Sequence, residues 1–184
     1  MSVPEVFQRI TTALDRAGIG YMLSGSFASA YYGSPRSTLD IDLVIEATAA
    51  QLHAFVGALP NKEYYVDLDA ALDAHQRQSM FNVIDLATGW KIDLIIRKSR
   101  PFSQEEFRRR QRVNLHNVSL FLASAEDAII SKLEWANLAQ SRRQIEDVAA
   151  ILRVRSGSLD HAYLEKWITE LGLNEAWSEA RRAV

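Results

Sequence analysis

Residues 40–45, DIDLVI, constrain this chain more than any other segment. In an extended strand, residues two apart project to the same face. Asp40 and Asp42 then lie side by side, with Ile41 and Leu43 packed underneath. Two like charges so close raise the energy of the folded state unless a cation or a proton sits between them. Hard divalent cations prefer oxygen ligands of this kind. The plainer alternative is an edge strand with a solvated polar face.

Two flanking features bear on that choice. Upstream, an apolar run ends at Leu23-Ser24 and turns through Gly25-Ser26. Glycine lets the backbone come close to a ligand, and the N-terminus of a following helix offers free N–H groups to a phosphate. An ordinary tight turn is the other reading of these two residues. Downstream, Lys91-Ile92-Asp93-Leu94-Ile95-Ile96 places one acid in a run that otherwise looks buried. Asp93 needs a partner there, and a salt bridge to a lysine or arginine would also provide one. Together, a phosphate-binding turn, two carboxylates on one strand and a third on a later strand describe a site for metal-assisted phosphoryl or nucleotidyl transfer. Two divalent ions held by Asp40 and Asp42 would bridge a triphosphate. Asp93 would complete the ion nearer the attacking group, or take the proton of that group.

The rest of the chain fits one mixed domain followed by helices. Over residues 1–122 the pattern alternates. A helix is expected from Ser2, Pro4 and Glu5 through Phe7, Ile10 and Leu14, closed by Gly18 and Gly20. A strand is expected over 19–23, and small residues Ala28 and Ala30 suit a closely packed helix. Gly33, Ser34 and Pro35 read as a loop. Thr48 caps a helix to Leu59. A strand over 64–66 and a helix over 68–75 follow. Two β-rich runs, 80–86 and 90–96, flank Ala87-Thr88-Gly89 as a hairpin. Residues 104–112 read as a basic helix and 118–122 as a strand. From Ser124, where Ser-Ala-Glu-Asp resembles a capping box, only helices are expected: to about Ala139, over 144–153, over 162–171 and over 175–183. The expected architecture is α+β: a mixed sheet flanked by helices over 1–122, with a C-terminal helical region, 123–184, packed on it.

The segment LSGSFASAYYGSPRSTLDIDLVI resembles the signature of the DNA polymerase β-like nucleotidyltransferase superfamily. That signature is a hydrophobic residue, Gly-Ser or Gly-Gly, a spacer, then acid-hydrophobic-acid-hydrophobic. Here residues 27–39 form the spacer. Asp93 in KIDLI resembles the family's third catalytic acid. Within the superfamily the chain looks most like small bacterial nucleotidyltransferases, which include the AbiEii-type toxins and the aminoglycoside nucleotidyltransferases. The resemblance implies a Mg²⁺-dependent enzyme that moves a nucleoside monophosphate from an NTP to an acceptor (RNA, protein or small molecule) and releases pyrophosphate. Its catalytic and metal-binding acids would be Asp40, Asp42 and Asp93. Gly25 and Ser26 would cradle the nucleotide's phosphates. A toxin–antitoxin pairing, with an antitoxin protein as partner, is one role within that family.

At helical spacing the neighbours of Lys132 are Ala128, Ile129, Trp135 and Ala136, all apolar. Lys132 is either a snorkelling lysine at the edge of the core or, as the AbiEii-like resemblance implies, a contact to the nucleotide phosphates. Asp147 matches the second acid of an Arg-x-Lys-Asp-x-x-Asp-like element of those relatives, but Gln144 replaces the first acid and Arg143 the lysine. An i, i+4 pair with Arg143 is the simpler role for Asp147.

Other signals carry less. His53, His75, His116 and His161 lack metal-ligand spacing. Asp67 and Asp69 read as helix-start residues, and Asp85 as structural. Arg108, Arg109, Arg110 and Arg112 form either a solvated helix face or a surface for RNA. The absence of cysteine excludes disulfides, thiolate metal sites and a cysteine nucleophile. A net charge of -2 gives no chain-wide grip on nucleic acid. No stretch approaches the roughly 18 apolar residues of a membrane span, and a cytoplasmic protein without membrane partners is expected. A catalytically silent member that binds a nucleotide or a protein is the alternative function. The complete acid triad argues against it.

Overall fold

The computed structural model describes residues 3–33, 38, 40–115 and 117–184. The expected cap Ser2, the loop residues Ser34 and Pro35, and His116 lie outside the described residues. The chain divides into two compact units, Met1–Ser24 with Thr38–Leu122, and Gly25–Ser37 with Ala123–Val184.

The first unit is built on a mixed sheet of seven strands. These are β1 (Gly20–Leu23), β2 (Asp40–Glu46), β3 (Tyr64–Val66), β4 (Met80–Asp85), β5 (Lys91–Ile96), β6 (Gln111–Leu115) and β7 (Val118–Leu122), in the order β3-β4-β5-β2-β1-β7-β6. β2 runs antiparallel to β1 and parallel to β5, so it lies in the middle of the sheet and is not an edge strand. Its alternation follows the sequence: Ile41, Leu43 and Ile45 are fully buried, and Asp40 is exposed. Helix α1 (Val3–Arg16) packs on β1 and β7 with Phe7, Ile10 and Leu14 inward. Helices α3 (Ala49–Ala58) and α4 (Leu68–Arg77) pack on each other, and α4 also covers β4.

Local chemistry sets most of these boundaries. Thr48 and Gln51 close a full capping box at α3, which satisfies two otherwise orphaned donors. Asp67 caps α4 by accepting from the Ala70 amide at 2.9 Å. The β4–β5 hairpin turns at Gly89, which takes the left-handed φ of +73° that other residues avoid. The buried Asp85 carboxylate accepts from the Ala87 and Thr88 amides, each at 3.1 Å, and from the Arg9 guanidinium.

One element departs from expectation. Helix α5 spans Pro101–Arg108, with proline at its first position, and the chain is a strand again from Gln111. Over the expected helix 104–112, the chain is helical only to Arg108 and is already strand at Gln111. The reason is non-local: β6 pairs antiparallel with β7, from Gln111↔Leu122 to Leu115↔Val118, around a turn with Asn117 at φ 67°. Three arginines of the basic cluster are engaged within their own unit. Arg108 pairs with Glu105 at 2.6 Å. Arg110 lies over the Phe107 ring at 4.2 Å and the Phe121 ring at 5.0 Å. Arg112 donates to the Ser119 hydroxyl at 2.9 Å.

The second unit is helical: α2 (Gly25–Tyr32), α6 (Ala125–Ala139), α7 (Arg142–Arg155), α8 (His161–Glu170) and α9 (Asn174–Arg182). Although α2 lies between β1 and β2 in sequence, it packs on α6 and α7. The small residues of α2 permit this. A Cβ on Gly33 would stand 2.9 Å from the Ile151 amide nitrogen and 3.0 Å from the Ala150 carbonyl carbon. Both are backbone atoms of α7 and cannot rotate away. Gly33→Ala is therefore expected to cost about 1–3 kcal/mol in a urea denaturation series; an unchanged midpoint would show that the helices separate freely.

Several buried polar groups in this unit are paired. Asp127 is fully buried and accepts from the Ser124 hydroxyl and the Tyr163 hydroxyl, each at 2.6 Å. Glu126 accepts from the Asp160 amide at 3.0 Å, tying the start of α8 to the start of α6. The Tyr32 hydroxyl donates to the Ala123 carbonyl at 2.8 Å. Burial first, and the nearby Tyr31 and Glu126 second, push the Tyr32 hydroxyl above its ordinary value of 10.0. A raised tyrosine favours the folded state until the unfolded chain's tyrosine ionises. The stabilisation is thus fully present below about pH 10 and is lost as pH rises beyond that. Tyr32→Phe is expected to lose about 1 kcal/mol at neutral pH and to unfold less steeply in alkali, as read by circular dichroism across the pH range. A variant with the wild-type alkaline profile would assign that unfolding to other groups.

Candidate functional site: a carboxylate row across β2 and β5

The parallel ladder between β2 and β5 aligns Asp40 with Lys91 and Asp42 with Asp93. Residues in register on adjacent strands share a face and approach within side-chain reach. The antiparallel β4–β5 ladder adds Asn82 opposite Asp93. One row thus reads Asn82–Asp93–Asp42 across three strands, and Lys91 and Asp40 stand in the neighbouring row. All five residues belong to the first unit. On the other side of β2, the Ser24 amide donates to the Asp42 carbonyl at 2.9 Å, at the end of β1.

The acids differ in environment. Asp40 has about half its side chain in solvent, 52%, whereas the Asp93 side chain is 9% exposed. Both Asp93 oxygens are engaged. The Asn82 side-chain amide donates to Oδ1, and the Lys91 ammonium stands 3.0 Å from Oδ2. The same ammonium is 3.5 Å from Asp40 Oδ1. The cation that crowded carboxylates require is thus supplied by the chain itself. The hydrogen bond to Asp93, with the charges of Asp93 and Asp40, raises Lys91 above its ordinary 10.5, against the opposing effect of partial burial. Lys91 is therefore charged throughout the physiological range.

These carboxylates present only hard oxygen donors, which suit Mg²⁺. Among the described residues, no three His, Cys, Asp or Glu side chains converge into a metal cage. Mg²⁺ does not demand one, because it is held by one or two carboxylates together with water and substrate phosphates. Asp40 and Asp42, two apart on one face, meet that requirement. Asp93 is close by but already held by Asn82 and Lys91.

The remaining residues singled out in the sequence belong to the second unit. Gly25, with φ +57°, and Ser26 open α2. The Lys132 ammonium donates to Asp147 Oδ2 at 2.7 Å, with side-chain exposures of 6% and 11%. Lys132 is thus buried and ion-paired, where the sequence suggested a lysine at the edge of the core. Asp147 has a partner on α6 as well as any on its own helix.

Sequence reasoning passed over Asn82 and Lys91 as site residues. For both a signal was available. Lys91 stands two residues before Asp93, hence on the same face. A hairpin that pairs 85 with 90 places 82 opposite 93.

No protein-family model and no curated protein sequence matches the chain. Solved structures do. The antibiotic-resistance factor ANT(2'')-Ia superposes with a TM-score of 0.62 at 16% identity, over 97% of this chain and 96% of that one. An antigenic nucleotidyltransferase-like protein from Paracoccidioides brasiliensis gives 0.56 at 16% identity, over 97% and 91%. The lincomycin-bound lincosamide antibiotic adenylyltransferase LnuA gives 0.57 at 14% identity, over 84% and 98%. At such identities the likeness establishes the fold, and the fold is that of the nucleotidyltransferases.

Proposed function

We propose that this chain, which has the nucleotidyltransferase fold, transfers a nucleoside monophosphate from an NTP to an acceptor hydroxyl with release of pyrophosphate. The observation that carries the proposal is the register of β2 and β5, which sets Asp42 opposite Asp93 with Asp40 one step along the same face. In the reaction an acceptor oxygen forms a bond to the α-phosphorus, the bond to the pyrophosphate oxygen breaks, and the acceptor hydroxyl loses its proton. Asp40 and Asp42 are assigned to hold Mg²⁺, which supplies charge neutralisation on the triphosphate when bound. Asp93 is assigned as the third acid, either as a further ligand or as the group that takes the acceptor proton. Its orientation is set by the Asn82 amide, which leaves the carboxylate little freedom to rotate. Gly25 and Ser26 keep the phosphate-binding role implied by the resemblance of residues 23–45; Lys132 has that role only by the resemblance of its helix, its ammonium being held by Asp147 within the helical unit.

ATP is the first donor to test, because LnuA is an adenylyltransferase. Aminoglycosides and lincosamides are the first acceptors, because ANT(2'')-Ia has been seen with adenylyl-2''-tobramycin and LnuA with lincomycin. The decisive measurement is calorimetric titration of the folded protein with each NTP and Mg²⁺, followed by a pyrophosphate-release assay with the acceptor panel. Saturable NTP binding that requires Mg²⁺ is the expected result. A folded protein that binds no NTP would end the proposal. Binding without turnover on any acceptor would favour a catalytically silent, nucleotide-binding chain.

A further inference from the structure

The Lys91 ammonium occupies the position between carboxylates where a bound cation belongs. It stands 3.0 Å from Asp93 Oδ2 and 3.5 Å from Asp40 Oδ1. Its side chain is only partly exposed, at 41%, and it reaches Asp93 from two residues away on the same strand, so the contact needs no rearrangement to form. The other Asp93 oxygen is held by Asn82. An ammonium and a dication at the same oxygens repel each other. A divalent ion that binds Asp40 in the resting protein must therefore turn Lys91 away from two carboxylates, and Mg²⁺ gives up its own water reluctantly. A nucleotide changes this balance. Its phosphates complete the metal's coordination, and its negative charge gives a displaced ammonium a new partner.

We propose that Lys91 is an internal counter-ion that occupies the acid site in the resting protein and makes metal entry depend on the nucleotide. Lys91 acts in this respect as a positioning residue. It keeps Asp40 and Asp93 together when no metal is present, and it excludes free divalent ions from the site. The metal then enters as its nucleotide complex. This inference rests on the assignment of Asp40 and Asp42 as metal ligands.

Binding of Mn²⁺ as a spectroscopic probe separates the two ideas without any turnover. Wild type, Lys91→Met and Lys91→Arg are titrated with Mn²⁺ alone, and again with a non-hydrolysable ATP analogue, with free Mn²⁺ read by electron paramagnetic resonance. Methionine keeps the length of the side chain and removes its charge; arginine keeps the charge. Lys91→Met is expected to bind Mn²⁺ alone at least tenfold more tightly than wild type, about 1.4 kcal/mol. Lys91→Arg is expected to stay near wild type, and the analogue is expected to narrow the difference among the three. A Lys91→Met protein that binds Mn²⁺ alone no more tightly than wild type overturns the inference while leaving the metal site intact. So does a Lys91→Arg protein that behaves like Lys91→Met. If none of the three binds Mn²⁺ even with the analogue, the metal assignment itself fails, and the role of Lys91 fails with it. Thermal melts of the metal-free proteins confirm that each is folded.

Discussion

Asp42→Asn is expected to be as stable as the wild type without metal, or more so, and to lose nearly all transfer activity. Asp42 faces Asp93 across the parallel ladder and stands two residues from Asp40. Like charges opposite one another on a sheet destabilise it, so removing one at nearly constant shape relieves the site. The same change removes a ligand of the proposed Mg²⁺. If charge neutralisation at the triphosphate is worth roughly 4 kcal/mol, the loss in rate is on the order of a thousandfold. Ligands that bind only the folded state raise its melting temperature. The wild type is therefore expected to melt higher with Mg²⁺ and NTP, and the variant to lose most of that gain. A melting series of the two proteins, with and without Mg²⁺ and NTP, tests this. Should Asp42→Asn keep the full metal response, the ligand assignment is wrong.

The second large effect concerns stability. Asp85→Ala is expected to cost about 3 kcal/mol, because removing one member of a buried ion pair leaves its partners unsatisfied. Asp85 has no exposed surface and holds three groups at once: the Arg9 guanidinium and the Ala87 and Thr88 amides of the hairpin turn. Arg9 also lies over the Tyr64 ring at 5.3 Å and stands 3.6 Å from Glu63, which moderates the loss. Asp85→Asn keeps an acceptor for the turn amides and is expected to lose less than the alanine variant. Urea denaturation of both variants measures the difference. A cost under about 1 kcal/mol for alanine, the scale of an ordinary exposed pair, would mean that Arg9 finds an equal partner elsewhere.

Much of this molecule was legible from local sequence. Strands β2, β3, β5 and β7, the hairpin around residues 87–89 and the caps at Thr48, Asp67 and Ser124 all stand where short-range patterns put them. Period-two alternation was enough to place Asp40 and Asp42 on one face and Ile41 and Leu43 on the other, because side-chain direction in a strand is set by backbone geometry alone. The buried acid Asp93 demanded a partner on the same ground. A salt bridge and a catalytic role both satisfy that demand, and Asp93 does hold an ion pair with Lys91.

Other features depended on contacts between distant segments. The strand at Gln111–Leu115 carries three charged or amide side chains near α5 and reads as more helix, yet its ladder with β7 outweighs that propensity. Helix α2 follows β1 directly but joins the C-terminal helices, since Gly33 lets its end approach the α7 backbone closely. Lys132 leaves an apolar stripe as the sequence suggests, but which acid receives it was decided by the packing of α6 on α7. The sequence by itself determined which residues form a two-carboxylate face and which form the core beneath it. Only the tertiary structure decided that β5 runs parallel to β2 with Asp93 opposite Asp42, and that Lys91 and Asn82 complete the row. A parallel pairing joins strands separated by a long crossover, and its register is set by packing that no local window of sequence contains.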